Sequence, residues 1–253
     1  MKRLAVCGLC LAAGAAMAAE TVFFGQTIGQ IAVKSTTQNT IVSVAFNELS
    51  AVDGAAITPK NLISTKNLSD NDRLYIYKDG VYSSWVKDGN DWVTPVAKVV
   101  NDASGNQSLL GADNPADVGS QVGEGFWLQR ASEPTGEFTF YLYGAAVACN
   151  STTAAPGVKS LMGNPLATAA TFVTTGAHKG DRIGLVANNG VFMREYSYGK
   201  VDDEDCWAEN TVVDGHAVVK KVTPTIPAGV GFWYNSTGSE QVNFVWSSVS
   251  EGD

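Results

Sequence analysis

Apolar and polar residues alternate along this chain in short runs, so that side chains two apart share a face. Ile41 to Phe46, Arg73 to Tyr77, Phe126 to Gln129, Phe138 to Tyr143, Arg182 to Ala187, His216 to Val222, Phe232 to Tyr234 and Val242 to Trp246 are alternating or β-branched stretches of the kind half-buried strands need. No apolar stripe at helical spacing continues for three turns, because Gly, Asn, Asp, Ser and Thr interrupt nearly every window. Turn chemistry falls between the runs. Lys78-Asp79-Gly80 and Asn188-Asn189-Gly190 carry Asx-Gly pairs, which accept the positive φ of a type I′ hairpin. Asp88-Gly89-Asn90 makes a further tip between Trp85 and Trp92. The pattern predicts an all-β protein.

The same pattern occurs twice. Asp72-Arg73-Leu74-Tyr75 returns as Asp181-Arg182-Ile183-Gly184, Gly80-Val81-Tyr82 as Gly190-Val191-Phe192, and Gly123-Glu124-Gly125-Phe126-Trp127 as Gly229-Val230-Gly231-Phe232-Trp233. The three pairs lie 109, 110 and 106 positions apart, in the same order, which is the signature of an internal duplication. About seven short strands per roughly 100 residues suit a sandwich-like antiparallel unit. The expected organisation is a leader over 1–18, a first β repeat over 19–148 and a second over 149–253, with the small, polar stretch Asn150 to Gly157 near the boundary and the longer loop Ala51 to Asn67 in the first half.

The leader follows from the N-terminus. Lys2 and Arg3 precede an apolar run from Leu4 to Ala16, and Ala16-Met17-Ala18 fits a small-x-small cleavage site. The run is too short to span a bilayer, and no later stretch is long enough, so the expected location is secreted or cell-surface rather than integral to a membrane. Loss of Lys2 and Arg3 takes the formal net charge from −8 to about −10. An acidic chain of this kind lacks the cations that neutralise phosphates, which argues against nucleic acid. Cys7 and Cys10 would leave with the leader, while Cys149 and Cys206 are expected to pair in an oxidising compartment, closing a loop worth roughly 4 kcal/mol; two free buried thiols are the alternative.

Leu161-Met162-Gly163-Asn164-Pro165-Leu166, Gly180-Asp181-Arg182-Ile183 and Ile226-Pro227-Ala228-Gly229-Val230-Gly231-Phe232-Trp233-Tyr234 together resemble a β module of exported bacterial surface proteins that carries G-N-P and I-P-x-G-x-G-F-W elements. Asn61-Leu62-Ile63 through Asp72-Arg73-Leu74-Tyr75 is similar to an N-L-x-x-G-D-x-L-Y pattern, with Asn71 where Gly is expected. The resemblance implies an extracellular β module without a catalytic role.

Residues with chemical potential have bland readings beside them. His178 and His216 are not repeated and no G-x-S-x-G elbow is present, so a His-activated nucleophile has no support. Asp72 and Asp181 read as loop carboxylates accepting backbone N–H groups, with Arg73 and Arg182 screening a strand edge; the catalytic alternative is a carboxylate-dependent glycosidase. Asp202, Asp203 and Asp205, within the run Asp202 to Asp205 before Cys206-Trp207, offer oxygen ligands to Ca²⁺, although the spacing lacks the alternation that aims carboxylates at one point, and a solvated acidic loop is the favoured reading. No other cofactor is expected. Trp127 and Trp233 read as core, whereas Trp85, Trp92 and Trp207 lie beside variable loops, where exposed rings would stack on sugars. The functional expectation is a secreted, non-catalytic structural or adhesive surface component, its partners a surface glycan or other copies of itself. A carbohydrate-binding module using the three loop tryptophans is the alternative.

Overall fold

The structure is a computed structural model that describes residues 21–23, 26–49, 57–78, 81–93, 98–101, 107–110, 119–186, 192–213 and 216–249. The leader with Cys7 and Cys10, the hairpin tips at Asp79-Gly80 and Asn188-Asn189-Gly190, Asp214-Gly215 and the tail from Ser250 lie outside the described residues.

The chain is all-β and antiparallel, as the alternation requires. Before Ala148 it forms β1 (Thr21–Phe23), β2 (Gln26–Ser35), β3 (Asn39–Ser43), β4 (Phe46–Asn47), β5 (Arg73–Lys78), β6 (Val81–Asp88), β7 (Asp91–Val93), β8 (Lys98–Asn101), β9 (Gln107–Leu110), β10 (Gly125–Gln129) and β11 (Phe138–Ala146). After it come β12 (Ser151–Ala154), β13 (Lys159–Gly163), β14 (Ala170–Thr175), β15 (Arg182–Val186), β16 (Phe192–Val201), β17 (Glu204–Val213), β18 (His216–Lys221), β19 (Thr225–Ile226), β20 (Gly231–Asn235) and β21 (Val242–Ser248). A single 3-10 turn, Pro59–Asn61, is the one helical element among the described residues. No helix there is long and apolar enough to cross a membrane.

Each half contributes a smaller and a larger sheet. The smaller are ordered β1-β2-β11-β4 and β12-β21-β14-β19; the larger are β3-β10-β5-β6-β7 and β13-β20-β15-β16-β17-β18. A separate β8-β9 ladder completes the set. The edge of β11 that β14 would hold in the other half is met by β4 at one end and by irregular chain beyond it: Ile63 bridges Leu142, the Ser64 N–H donates to the Tyr141 carbonyl at 2.9 Å, and the Tyr143 N–H donates to the Leu62 carbonyl at 2.8 Å. The long first-half loop read from the sequence ends here, doing a strand's work for β11.

Alternation turns these ladders into two cores. In the first, Ile31, Val33, Phe140 and Leu142 from the smaller sheet meet Leu74, Ile76, Trp85, Phe126 and Leu128 from the larger. The second is aromatic: Phe172 lies 5.1 Å from Phe244, 5.0 Å from Trp246 and 6.2 Å from Phe232 between ring centroids. Such ring pairs add about 0.5–1.5 kcal/mol each beyond their buried area.

A third, small cluster joins the halves. Ile41, Leu161 and Trp233 are buried together, with Tyr77 and Trp127 packed against them. The backbones interlock reciprocally. The Ser43 N–H donates to the Gly229 carbonyl at 2.9 Å, and the Gly163 N–H donates to the Gly123 carbonyl at 2.8 Å. Val42 bridges Val230, and Met162 bridges Glu124. Ser43 faces Gly125 across the β3–β10 ladder just as Gly163 faces Gly231 across β13–β20, so each half offers the other the same groups, the geometry of a two-fold contact. The approach is close enough that a Cβ on Gly231 would lie 2.5 Å from Ile41 Cγ2 and 2.9 Å from the Met162 carbonyl.

Candidate functional site

The residues singled out by the sequence are scattered by the fold, and most are absorbed into it. Trp85, Trp92 and Trp207 are only 2%, 8% and 5% exposed, which corrects the expectation of an exposed stacking platform. Their strands β6, β7 and β17 turn these rings inward, the first two into the first core and the third into the second, where a large ring removes the most apolar area from water. Trp207 spans the second core, its indole N–H donating to Thr174 Oγ1 at 3.1 Å.

The acidic run contains a hairpin turn. Asp202 and Asp203 have φ of 51° and 66° and join Val201 to Glu204 as a two-residue hairpin, the left-handed pair that a type I′ turn demands and Asp tolerates. Asp205 stands opposite Lys200 across the ladder, and Glu204 pairs with Lys221, which holds the Glu204 carboxyl below its usual range. Among the described residues no three acidic, His or Cys side chains gather as a metal set. The cysteine pairing is likewise corrected. Cys149 is a half-buried free thiol donating to the Ser151 carbonyl, and Cys206 is a buried free thiol. The first precedes β12 of the four-stranded sheet, and the second lies in β17 of the six-stranded one.

Asp72 and Asp181 are fully buried and hold equivalent loops. Asp72 accepts the Ser69 N–H at 2.8 Å and the Ala131 N–H at 2.8 Å; Asp181 accepts the His178 N–H at 2.8 Å and the Thr237 N–H at 2.7 Å. The residue before each is left-handed, Asn71 at φ 69° and Gly180 at φ 98°, and its N–H donates across to Lys87 and Tyr198 respectively, both at 2.9 Å. Asn stands where Gly was expected because Asn is among the few other residues that accept this conformation. The remaining partners differ. Asp72 forms an ion pair with Arg130 Nε at 2.8 Å, poorly aligned for a hydrogen bond. Asp181 takes the Tyr234 hydroxyl at 2.5 Å and Thr237 Oγ1 at 2.8 Å. Burial works to raise the Asp181 pKa, yet the donors from His178, Tyr234 and Thr237 outweigh it and hold the carboxyl below its usual value. Burial, then the bond to Asp181, pushes the Tyr234 hydroxyl far upward. Arg182 pairs across β15 and β16 with Glu195 at 3.4 Å instead of screening a free edge.

Asn164, quoted only as part of a motif, is a structural hub. Fully buried, it donates through Nδ2 to the carbonyls of Thr168 at 2.8 Å and Ile226 at 3.0 Å, and its Oδ1 accepts the Leu166 N–H at 2.9 Å. The G-N-P and I-P-x-G elements are therefore one structure, stitched by this amide.

Two clefts flank the junction between the halves. One, of about 710 Å³, is lined by Asn47, Gln121 to Glu124, Ala146 to Cys149 and Ser151 to Thr153. The other, of about 770 Å³, draws Tyr77 and Glu124 from the first half and Thr153, Lys159, Ser160 and Gln241 from the second. Its aromatic lining residue, Tyr77, is held by packing outside the lining: it meets Trp233 edge-on at 5.3 Å, Trp233 in turn lies 6.2 Å from Trp127, and the Lys159 ammonium sits 4.2 Å over the Trp233 ring. Glu124 is anchored by the Gln121 N–H at 3.0 Å. Sequence reasoning passed over Tyr77, Glu124 and Lys159 as site residues, although one signal was present: the pentapeptide that occurs twice differs at a single position, Glu124 against Val230.

No family model matches the chain, nor does any curated protein or solved structure.

Proposed function

We propose that this chain is an exported, non-catalytic protein that serves as a structural or adhesive component of a cell surface, built by duplication of a sandwich-like unit over 19–148 and 149–253. The observation that carries the reading is the fate of the duplicated polar residues. Asp72 and Asp181, the acids repeated in strict context, are buried and bonded to their own loops, where a carboxylate organises backbone and cannot reach a substrate. A pair of glycosidase carboxylates faces one sugar from about 5–10 Å apart, whereas these two belong to separate loops on separate cores. The matching order of the first five strands of the two larger sheets, the reciprocal junction and the shared Asp loop support duplication. Export rests on the leader pattern, and the resemblance to exported surface modules points the same way.

The test follows the protein in the cell that makes it. Fractionation and protease shaving of intact cells are expected to find a chain beginning near Ala19 outside the cytoplasm, and cytoplasmic retention of an uncleaved chain would sink the reading. Glycoside hydrolysis that is lost in Asp72→Asn or Asp181→Asn, with the fold intact, would overturn its non-catalytic part.

A further inference from the structure

We propose that the junction cleft of about 770 Å³ binds a neutral carbohydrate, with Tyr77 as the ring-stacking side chain and Glu124, Lys159 and Gln241 as hydroxyl partners. This deepens the adhesive reading above and rests on it.

The symmetry of the junction is broken in its side chains. Strand register equates Tyr77 with Val186, Glu124 with Val230, and Lys159 with Asn39. Two valines and an asparagine thus occupy the positions that carry a phenol, a carboxylate and an ammonium on the other side. If the junction had only to join the halves, apolar residues would serve at both places, as Val230 does against the second core. The polar set lines the cleft.

The chemistry of the walls selects the ligand. A cleft of this size suits one or two sugar rings, within the range of small-molecule sites. Sugars present an apolar C–H face and a rim of hydroxyls, so they need an aromatic surface beside mixed donors and acceptors. Tyr77 lines the cleft with Trp233 and Trp127 packed behind it, which pre-sets its orientation. Glu124 is an acceptor, Lys159 a donor, and Gln241, Thr153 and Ser160 supply both. One carboxylate and one ammonium leave the walls without net charge. A phosphate or sulfate ester would meet Glu124 with no cation in excess, since Lys159 already lies over Trp233. The same balance gives a strongly basic ligand no advantage.

The experiment titrates the full mature chain, from Ala19, with a panel of neutral oligosaccharides, sulfated and sialylated glycans, and extended peptides, read by calorimetry and by tryptophan fluorescence. Variants borrow residues from the opposite half, which tolerates them at the equivalent places: Glu124→Val, Tyr77→Val and Lys159→Asn. The expected result is saturable binding of a neutral glycan, weakened at least tenfold in Glu124→Val and Tyr77→Val, with unfolding midpoints retained. If a variant loses its fold, Glu124→Gln and Tyr77→Phe supply the comparison, the first weakening binding and the second retaining it. Absence of binding across the neutral panel, undiminished affinity in both folded cleft variants, or preference for anionic glycans or peptides would overturn the proposal. A surface-exposed protein that binds no glycan sinks only the cleft; one that binds glycan but stays inside the cell sinks only the surface reading.

Discussion

The two buried aspartates solve one problem in two ways. Both hold a left-handed turn against the neighbouring strand, and each accepts an equivalent pair of backbone N–H groups, from Ser69 and Ala131 or from His178 and Thr237. Asp72 then leans on the charge of Arg130, itself stacked 4.4 Å from the centroid of Phe138, whereas Asp181 is satisfied by neutral hydroxyls from Tyr234 and Thr237. Backbone geometry sets the need for an acceptor, and the choice of counter-group is left to the local packing. The first half answers with an ion pair at the rim, the second with a phenol inside the core.

The largest expected effect comes from removing the acceptor itself. Asp181→Ala strands two backbone N–H groups and two hydroxyls, and is expected to cost about 3–5 kcal/mol in denaturant unfolding, with Asp72→Ala similar. A large difference between them would break the equivalence of the loops. Next is the junction: Gly231→Ala forces a methyl group against Ile41 and the Met162 carbonyl and is expected to cost about 2–3 kcal/mol, measured as a fall in urea midpoint. A neutral outcome would mean that the halves are not tightly interlocked.

The counter-groups sharpen the comparison. Arg130→Gln should cost about 2 kcal/mol and become less costly in high salt, while Tyr234→Phe should cost about 1 kcal/mol with no salt dependence. The pH profile follows from the second half. The folded pKa of Asp181 lies below its unfolded value of about 3.9, so its contribution is present above about pH 4 and lost as pH falls through the folded value. The folded pKa of Tyr234 is raised, so its contribution is complete below about pH 10 and is lost as pH rises beyond. Asp181→Asn should flatten the acid limb of a plot of urea midpoint against pH. The smallest effect belongs to Asn71→Gly, expected to shift stability by a few tenths of a kcal/mol, because both residues accept the turn's φ of 69°.

Much of the architecture was legible where alternation was strong. The runs at Arg73, Phe126, Phe138, Arg182, His216, Phe232 and Val242 all became strands, and the tip at Gly89-Asn90 closes β6 onto β7. Polar strands were not visible: β12 reads Ser-Thr-Thr-Ala and β14 is half threonine, so neither shows an apolar face by itself. The acidic run misled for a related reason, since four adjacent charges look like a loop until two of them are seen turning a hairpin whose strands are ten residues each. The loop tryptophans misled because position along a strand does not tell which face the opposing sheet will cover. The cleft residues Tyr77, Lys159 and Gln241 were beyond reach, being far apart in the chain and brought together only by the docking of two sheets.

From the amino-acid order alone came the strongly alternating strands, the Gly89-Asn90 tip, the twice-used Asp-Arg and Gly-x-Gly-Phe-Trp elements and the acidic balance, because these depend on neighbours a few residues away. Tertiary structure alone decided that Phe126 and Trp127 are both covered, one by its own core and the other at the junction, that Cys149 and Cys206 stand as free thiols, and that Glu124 opens onto a cleft. Those outcomes depend on which surface meets which, and a strand's pattern records that a face is apolar without naming its partner.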